Sequence, residues 1–502
     1  MPPLWLGRAK FSTLDHESSL VAALAFLGLL VIVVAWCVRL ASTISSKSRE
    51  DADLSVRQTK KVHYVLGALL FMLAVELPVL LSTPREGLAD LILGTDPRLA
   101  EVLARVPDLR RGPAPPLLLR NRHVAFLPWL IQNEVHRRRG IPFHRIDVEV
   151  RDCEEKAEGC RPSDAMNDTI ALDVFPSFGE SPHGRGFNRS SPIILYAPGL
   201  RCSSQDMPGN SIIRKAYGAG FRSIVVNRRG LIHALKRPRV NLFGDVEDMK
   251  QVYLFIRREL VTPDTPFFLY GISAGTAVSV TALAKWDRQR TERTDPDIPV
   301  FVASVDVVPG YDISKVMTHE RFLWPYNHVL MQGVLDHFVR RNEGLLREHD
   351  GAAVDAMLGA ASLQDVVDAG AVFAGYPDAA SYYEDVNPIH NLRDIATPKL
   401  VLNAADDPCC NIDNLYEHSP YPRHQGKSYA EMIRETARGL VAVTYTGSHA
   451  PFVCARDRWA PFTRDPLTGG WMLNSWADQV TIKYYQAALE VYGDRRFLWN
   501  TI

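Results

Sequence analysis

Six short runs of nearly unbroken apolar residues punctuate the chain between positions 192 and 445, and their continuity restricts the fold more than any other feature. They are Pro192–Tyr196, Arg222–Val226, Pro266–Tyr270, Val300–Val305, Leu400–Asn403 and Val441–Tyr445. A strand with one solvated face alternates apolar and polar side chains, whereas a strand covered on both faces has no polar side to show. Stretches with helical character at 210–219, 244–260 and 275–286 fall between the runs. Strands alternating with helices in this way imply a mostly parallel, doubly wound α/β sheet. Ahead of the series, Arg145–Val150 and Thr169–Phe175 do alternate, which predicts a leading antiparallel hairpin. Residues 311–395 break the rhythm with Ala-, Leu- and aromatic-bearing sequence far longer than a normal crossover. That interval reads as a helical lid beside the carboxyl ends of the strands.

The amino-terminal region is of another kind. Ser19 to Val38 carries no charge, and twenty residues at about 1.5 Å rise suffice to cross a bilayer core. Trp36, Cys37 and Arg39 stand where a signal peptide would need small residues, so a retained transmembrane helix is expected. A second apolar run, 64–81, contains Glu76 and Pro78. An ionised carboxylate at mid-bilayer costs about 2.5–3.5 kcal/mol, which leaves a second span and an interfacial helix both open. Arg39, Lys47, Arg49, Arg57, Lys60 and Lys61 lie between the two runs and place that connection in the cytosol. If the second run spans, the body is lumenal; the sequons at Asn167 and Asn188, and a disulfide between Cys153 and Cys160, would then have the right compartment. The whole chain balances 57 basic against 57 acidic residues, so nucleic acid is not an expected partner. Its seven cysteines show no Cys-x-x-Cys spacing, and no structural zinc is expected.

Chemistry concentrates at four places. Gly271-Ile272-Ser273-Ala274-Gly275 follows an apolar run and precedes a helical one, the setting of a nucleophile elbow. The flanking glycines allow a sharp strand-to-helix turn, Ser273 is pushed into the open, and the Ala274 N–H faces developing negative charge at a helix amino terminus. A serine hydroxyl needs a histidine base, itself oriented by a carboxylate, and in this kind of sheet the order is serine, acid, histidine. The acid is expected at Asp407, in preference to Asp406, in the turn after Lys399–Asn403. His449 follows the last strand in Gly447-Ser448-His449. His390, His418 and His424 lie in polar loops and are read as solvated. The loop Ala197-Pro198-Gly199-Leu200 is expected to supply the second oxyanion donor, the Leu200 N–H.

With those residues in place the chain resembles the α/β-hydrolase-domain proteins of the membrane-anchored "type 4" esterase and lipase family. The resemblance covers about residues 120 to 460. It rests on Asp168-Thr169-Ile170-Ala171-Leu172-Asp173, Pro198-Gly199-Leu200, Asn227-Arg228-Arg229-Gly230, Gly375-Tyr376 with Tyr382-Tyr383, Asn403-Ala404-Ala405-Asp406-Asp407-Pro408, and Gly447-Ser448-His449. Pro198 replaces the family's usual histidine, Ala274 its usual methionine, and Asn411–Leu440 lengthens the interval between acid and histidine. The resemblance implies an α/β-hydrolase fold, cleavage of carboxylic esters of lipids at the membrane through an acyl-enzyme, and no cofactor or metal. It divides the chain into an anchor (1–84), a linker and pre-core segment (85–144) and a catalytic domain (145–502) with its lid at 311–395. The alternative is a catalytically silent membrane-anchored protein that keeps the same fold for binding.

Overall fold

The computed structural model describes residues 86–493 apart from 121, 123–124, 126–127, 130–131, 133–139, 152–166, 180–182, 184–185, 205–208, 293–296, 320–321, 323–325 and 455–460. Both expected membrane segments, 19–38 and 64–81, and the cysteines at 153 and 160 lie outside the described residues. Among the described residues no helix is long and apolar enough to cross a membrane.

Among the described residues nine strands form one sheet in the order β1-β9-β8-β7-β6-β4-β5-β3-β2. The strands are β1 (Leu88–Leu93), β2 (His144–Val150), β3 (Asp168–Phe175), β4 (Ile193–Ala197), β5 (Arg222–Val226), β6 (Phe267–Ile272), β7 (Ala303–Val307), β8 (Lys399–Ala404) and β9 (Gly439–Thr444). Neighbours from β5 through β4, β6, β7 and β8 to β9 run parallel, while β2, β3 and β1 pair antiparallel at the two edges. The β2–β3 hairpin is in the expected place. Each expected parallel strand is present, with ends moved by up to three residues; the largest move is the start of β7 at Ala303 rather than Val300.

The continuity of the runs has a direct structural cause. On β4, Ile194 and Tyr196 pack on one face with helices α1 (Gly209–Gly218) and the carboxyl-terminal Trp476–Tyr492, while Ile193, Leu195 and Ala197 pack on the other with α2 (Val246–Phe255) and α3 (Gly275–Glu292). Burying an aliphatic or aromatic side chain contributes about 1.5–3 kcal/mol, so successive residues facing opposite cores are both held. The expected helix at 244–260 is divided: Asp245 caps α2 by accepting from Glu247 N and Asp248 N, and beyond Phe255 the turn widens into a π-helix through Leu260.

The segment 85–144, read as linker and pre-core segment, contributes directly to the sheet and to its core. Its strand β1 pairs with β9 and closes the sheet edge, and Leu99, Val102 and Leu103 of the helix Arg98–Arg105 enter the core. The described residues of 311–395 are largely helical as expected, and share one apolar cluster with apolar residues of 231–243 and with Leu200, Ala277 and Cys409 from beside the strand ends.

Candidate active site

The strand order reverses between β4 and β6, since β5 lies to one side and β7 to the other. Loops leaving the carboxyl ends of two such strands diverge and leave a crevice. The β4 loop carries Leu200 and the β6 loop carries Ser273, so both expected groups sit at this switch point.

Ser273 has φ 51°, in the left-handed region that a residue with a Cβ rarely adopts. Three contacts hold it there: its N–H donates to Val307 O at 2.9 Å, and its carbonyl accepts from Thr276 N at 3.0 Å and Thr276 Oγ1 at 2.6 Å. The flanking glycines are required by space. A Cβ on Gly275 would stand 2.1 Å from Ala197 O and 2.6 Å from Pro198 O, and one on Gly271 would stand 2.6 Å from Asp306 Oδ1. The amino end of α3 therefore touches the backbone of the β4 loop. Arg201, Val308, Ser448 and Ala450, all in loops at strand carboxyl ends, also have positive φ, so backbone strain of about 1–3 kcal/mol per residue gathers around the crevice.

His449 Nε2 lies 2.9 Å from Ser273 Oγ, and His449 Nδ1 lies 2.9 Å and 3.1 Å from the two oxygens of Asp407. Asp407 is fully buried, while 16% of the His449 side chain remains exposed. Backbone N–H groups of Cys409 and Cys410 donate to Asp407 Oδ1 at 2.7 and 3.0 Å, fixing the carboxylate. Its neighbour Asp406 faces elsewhere and accepts from Gly447 N and Ser448 N, both at 2.9 Å. It thus holds the loop that carries His449, and burial pushes its pKa up to about 7 despite those two hydrogen bonds. One end of the β8 turn orients the imidazole and the other shapes its loop.

The β4 loop abuts the serine: a Cβ on Gly199 would lie 3.5 Å from Ser273 Cβ. Neither the Leu200 N–H nor the Ala274 N–H makes a hydrogen bond among the described residues. Behind the loop lies Arg228, whose guanidinium donates to Gly199 O at 2.6 Å and Pro198 O at 2.7 Å. Sequence reading quoted this residue only as part of a turn; nothing in its local pattern shows which carbonyls it reaches. Asn227 beside it donates to Asp173 Oδ2 at 2.9 Å and accepts from Ser204 N at 3.0 Å, joining the turn to β3.

Asp407, Cys410 and His449 place a carboxylate oxygen, a thiol and an imidazole nitrogen within 4.8 Å of one another, a donor set that suits a soft divalent cation. Asp407 and His449 are already bonded to each other, and burial pushes the Cys410 thiol well above its ordinary range, away from the thiolate a metal prefers.

Two of the histidines read as solvated are enclosed instead. His390 Nδ1 is 3.4 Å from His424 Nε2, His424 Nδ1 is 2.6 Å from Ser419 Oγ, and Tyr421 packs edge-on against His390. The short helix Pro388–Asn391 and the 3-10 turn Pro422–His424 pack against each other and leave both rings almost inaccessible to water. His418 is exposed as expected.

Similarity to known proteins points the same way as the topology. The chain is 23% identical over 330 residues to an abhydrolase domain-containing protein of Dictyostelium discoideum, covering 64% of this chain and 71% of that one. It is 26% identical over 241 residues to mouse phospholipase ABHD3, and 23% identical over 335 residues to monoacylglycerol lipase ABHD2 of Danio rerio. The sequence and the sheet support the α/β-hydrolase superfamily. No family model matches the chain. The match covers 47% of this chain and 55% of the phospholipase, against 64% and 70% for the lipase, so the chain spans about half the length of the former.

Proposed function

We propose that this chain is a membrane-bound serine hydrolase that cleaves carboxylic esters of lipids, with Ser273 as nucleophile, His449 as general base and Asp407 as the acid that orients it. The observation that carries the reading is the unbroken contact series Ser273 Oγ, His449 Nε2, His449 Nδ1, Asp407, each link near 2.9 Å. In this reading His449 takes the Ser273 proton as Oγ attacks the acyl carbon, and Asp407 stabilises the imidazolium. The tetrahedral oxyanion is held by the N–H groups of Leu200 and Ala274, and the alcohol leaves with the proton from His449. Water, deprotonated by the same histidine, then releases the carboxylic acid and restores Ser273. No cofactor takes part in these steps.

A lipid substrate is favoured by two things. The named relatives are a phospholipase and a monoacylglycerol lipase. The 311–395 segment brings an apolar cluster up to Leu200, where a lid could receive an acyl chain. The apolar run 19–38 would tether the body beside its substrate, with 64–81 as a second span or a surface helix.

The test is fluorophosphonate labelling of the full chain followed by hydrolysis of a panel of phospholipids and acylglycerols. Ser273→Ala should lose both labelling and turnover while unfolding at the same temperature as the parent. Persistent labelling of the variant would exclude Ser273 as the nucleophile.

A further inference from the structure

Arg228 is buried, yet no carboxylate pairs with it among the described residues. Its neighbour Arg229 is placed conventionally, against Asp248 with Asp168 at 3.9 Å. Arg228 instead directs both terminal nitrogens at backbone carbonyls, and its buried Nε makes no hydrogen bond among the described residues. A cation removed from water without an anion is costly to keep, and such a cost persists where the group serves the site. Burial pushes its pKa down to about 10, so the guanidinium is still charged at neutral pH.

We propose that Arg228 is a positioning residue that orients and polarises the Leu200 N–H of the oxyanion hole by way of the Gly199–Leu200 peptide. This rests on the ester-hydrolase reading above. Gly199 C=O and Leu200 N–H belong to one planar trans peptide, so they point in opposite directions. Anchoring the oxygen on Arg228 Nη1 at 2.6 Å therefore turns the N–H away from the arginine. Gly199 O also accepts from Cys202 N at 3.1 Å, and the preceding peptide is held the same way through Pro198 O and Nη2 at 2.7 Å. On its other side the loop packs closely against Gly275, where an added Cβ would stand 2.1 Å from Ala197 O and 2.6 Å from Pro198 O. A charge-assisted bond to a peptide oxygen draws electron density through the amide and makes its N–H a stronger donor. That gain is largest when a full negative charge develops on the substrate oxygen, so it acts on the transition state more than on bound ester.

The experiment compares parent, Arg228→Lys and Arg228→Met as full chains, with active sites counted by exhaustive fluorophosphonate titration. The readouts are kcat and KM for a short nitrophenyl ester and the inhibition constant of a trifluoromethyl ketone, which forms a tetrahedral oxyanion on serine. Losing one oxyanion donor costs on the order of 10²–10³ in kcat, and Arg228→Met should approach about 10². KM should stay within about threefold, and ketone affinity should fall in step with kcat/KM. Arg228→Lys, which keeps the charge but only one donor, should recover about tenfold of that loss and so keep a deficit of about tenfold in kcat. If kcat per titrated site and ketone affinity stay at parental values in either variant, the inference fails even where stability drops. Should Arg228→Met not fold, Arg228→Lys alone decides, because a tenfold loss in kcat with unchanged KM is still required of it. A parent that neither hydrolyses the ester nor takes the label would instead refute the hydrolase reading.

Discussion

Beneath the elbow lies an ion pair whose removal tests how the site is supported. Asp306 on β7 and Lys399 at the start of β8 approach to 2.5 Å with side chains 0% and 2% exposed. The alignment is poor, since neither group makes a well-formed hydrogen bond. Burial pushes the Asp306 carboxyl up and the Lys399 amine down, each countered by the other's charge. Lys399→Met removes the cation and leaves a carboxyl in a site that disfavours its charged form. Breaking such a pair from one side costs about 3–5 kcal/mol, whereas replacing both partners by apolar side chains of similar shape is close to neutral. Asp306→Leu/Lys399→Met should therefore lie within about 2 kcal/mol of the parent, so the two changes must be strongly non-additive. The sign with pH follows from Asp306: in the single variant its folded pKa is higher still. Stability is then retained at low pH and lost as pH rises above the unfolded value, and the penalty should be smaller at pH 5 than at pH 8. Urea unfolding of the four proteins at both pH values measures the cycle. A single Lys399→Met costing less than about 1 kcal/mol at pH 8, or additive losses in the double variant, would refute the reasoning.

Asp407→Asn should lower kcat by about 10⁴ by favouring the wrong imidazole tautomer, while Asp406→Asn, which keeps an acceptor for Gly447 N and Ser448 N, should cost far less. Steady-state kinetics on a soluble ester distinguishes them, and reversed penalties would make Asp406 the acid. Burial holds His390 down at about 3 and His424 at about 4, so both stay neutral in the fold while the unfolded chain protonates them below about 6.5. Stability should fall as pH drops from 6.5 toward 4, by up to about 1.4 kcal/mol per unit for each ring. His390→Asn/His424→Gln should flatten that dependence in denaturant titrations, and an unchanged slope would place the acid sensitivity elsewhere.

What could be read in advance divides along a physical line. Strands β4 to β9 were legible because each faces two cores at once, and Ser273, Asp407 and His449 were legible because strand ends and turns deliver them in a set order. Strand β1 was not, since Leu88–Leu93 carries Asp90 in its middle and follows a charged stretch, and only its partner β9 makes it a strand. His390 and His424 were misread because each ring is covered in part by the other and by Tyr421, and the contact between them spans 34 residues of chain. The hydrogen bonds of Arg228 cross from one strand end to another, and no local pattern encodes them.

Pairing β1 with β9 joins the first strand of the sheet among the described residues to the last one along the chain. Leu93 lies opposite Leu440, and Leu88 opposite Thr444. Translation at about 5–20 residues per second separates their appearance by tens of seconds, during which Leu88–Leu93 has no edge to join. An apolar hexapeptide exposed for that long invites pairing with other chains, and a charge within it is the usual deterrent. Asp90 is that charge. In the finished fold its carboxylate accepts from Leu91 N at 2.8 Å and from Tyr416 OH at 3.0 Å, so a charge of the kind that deters edge pairing is still accommodated once the edge has closed.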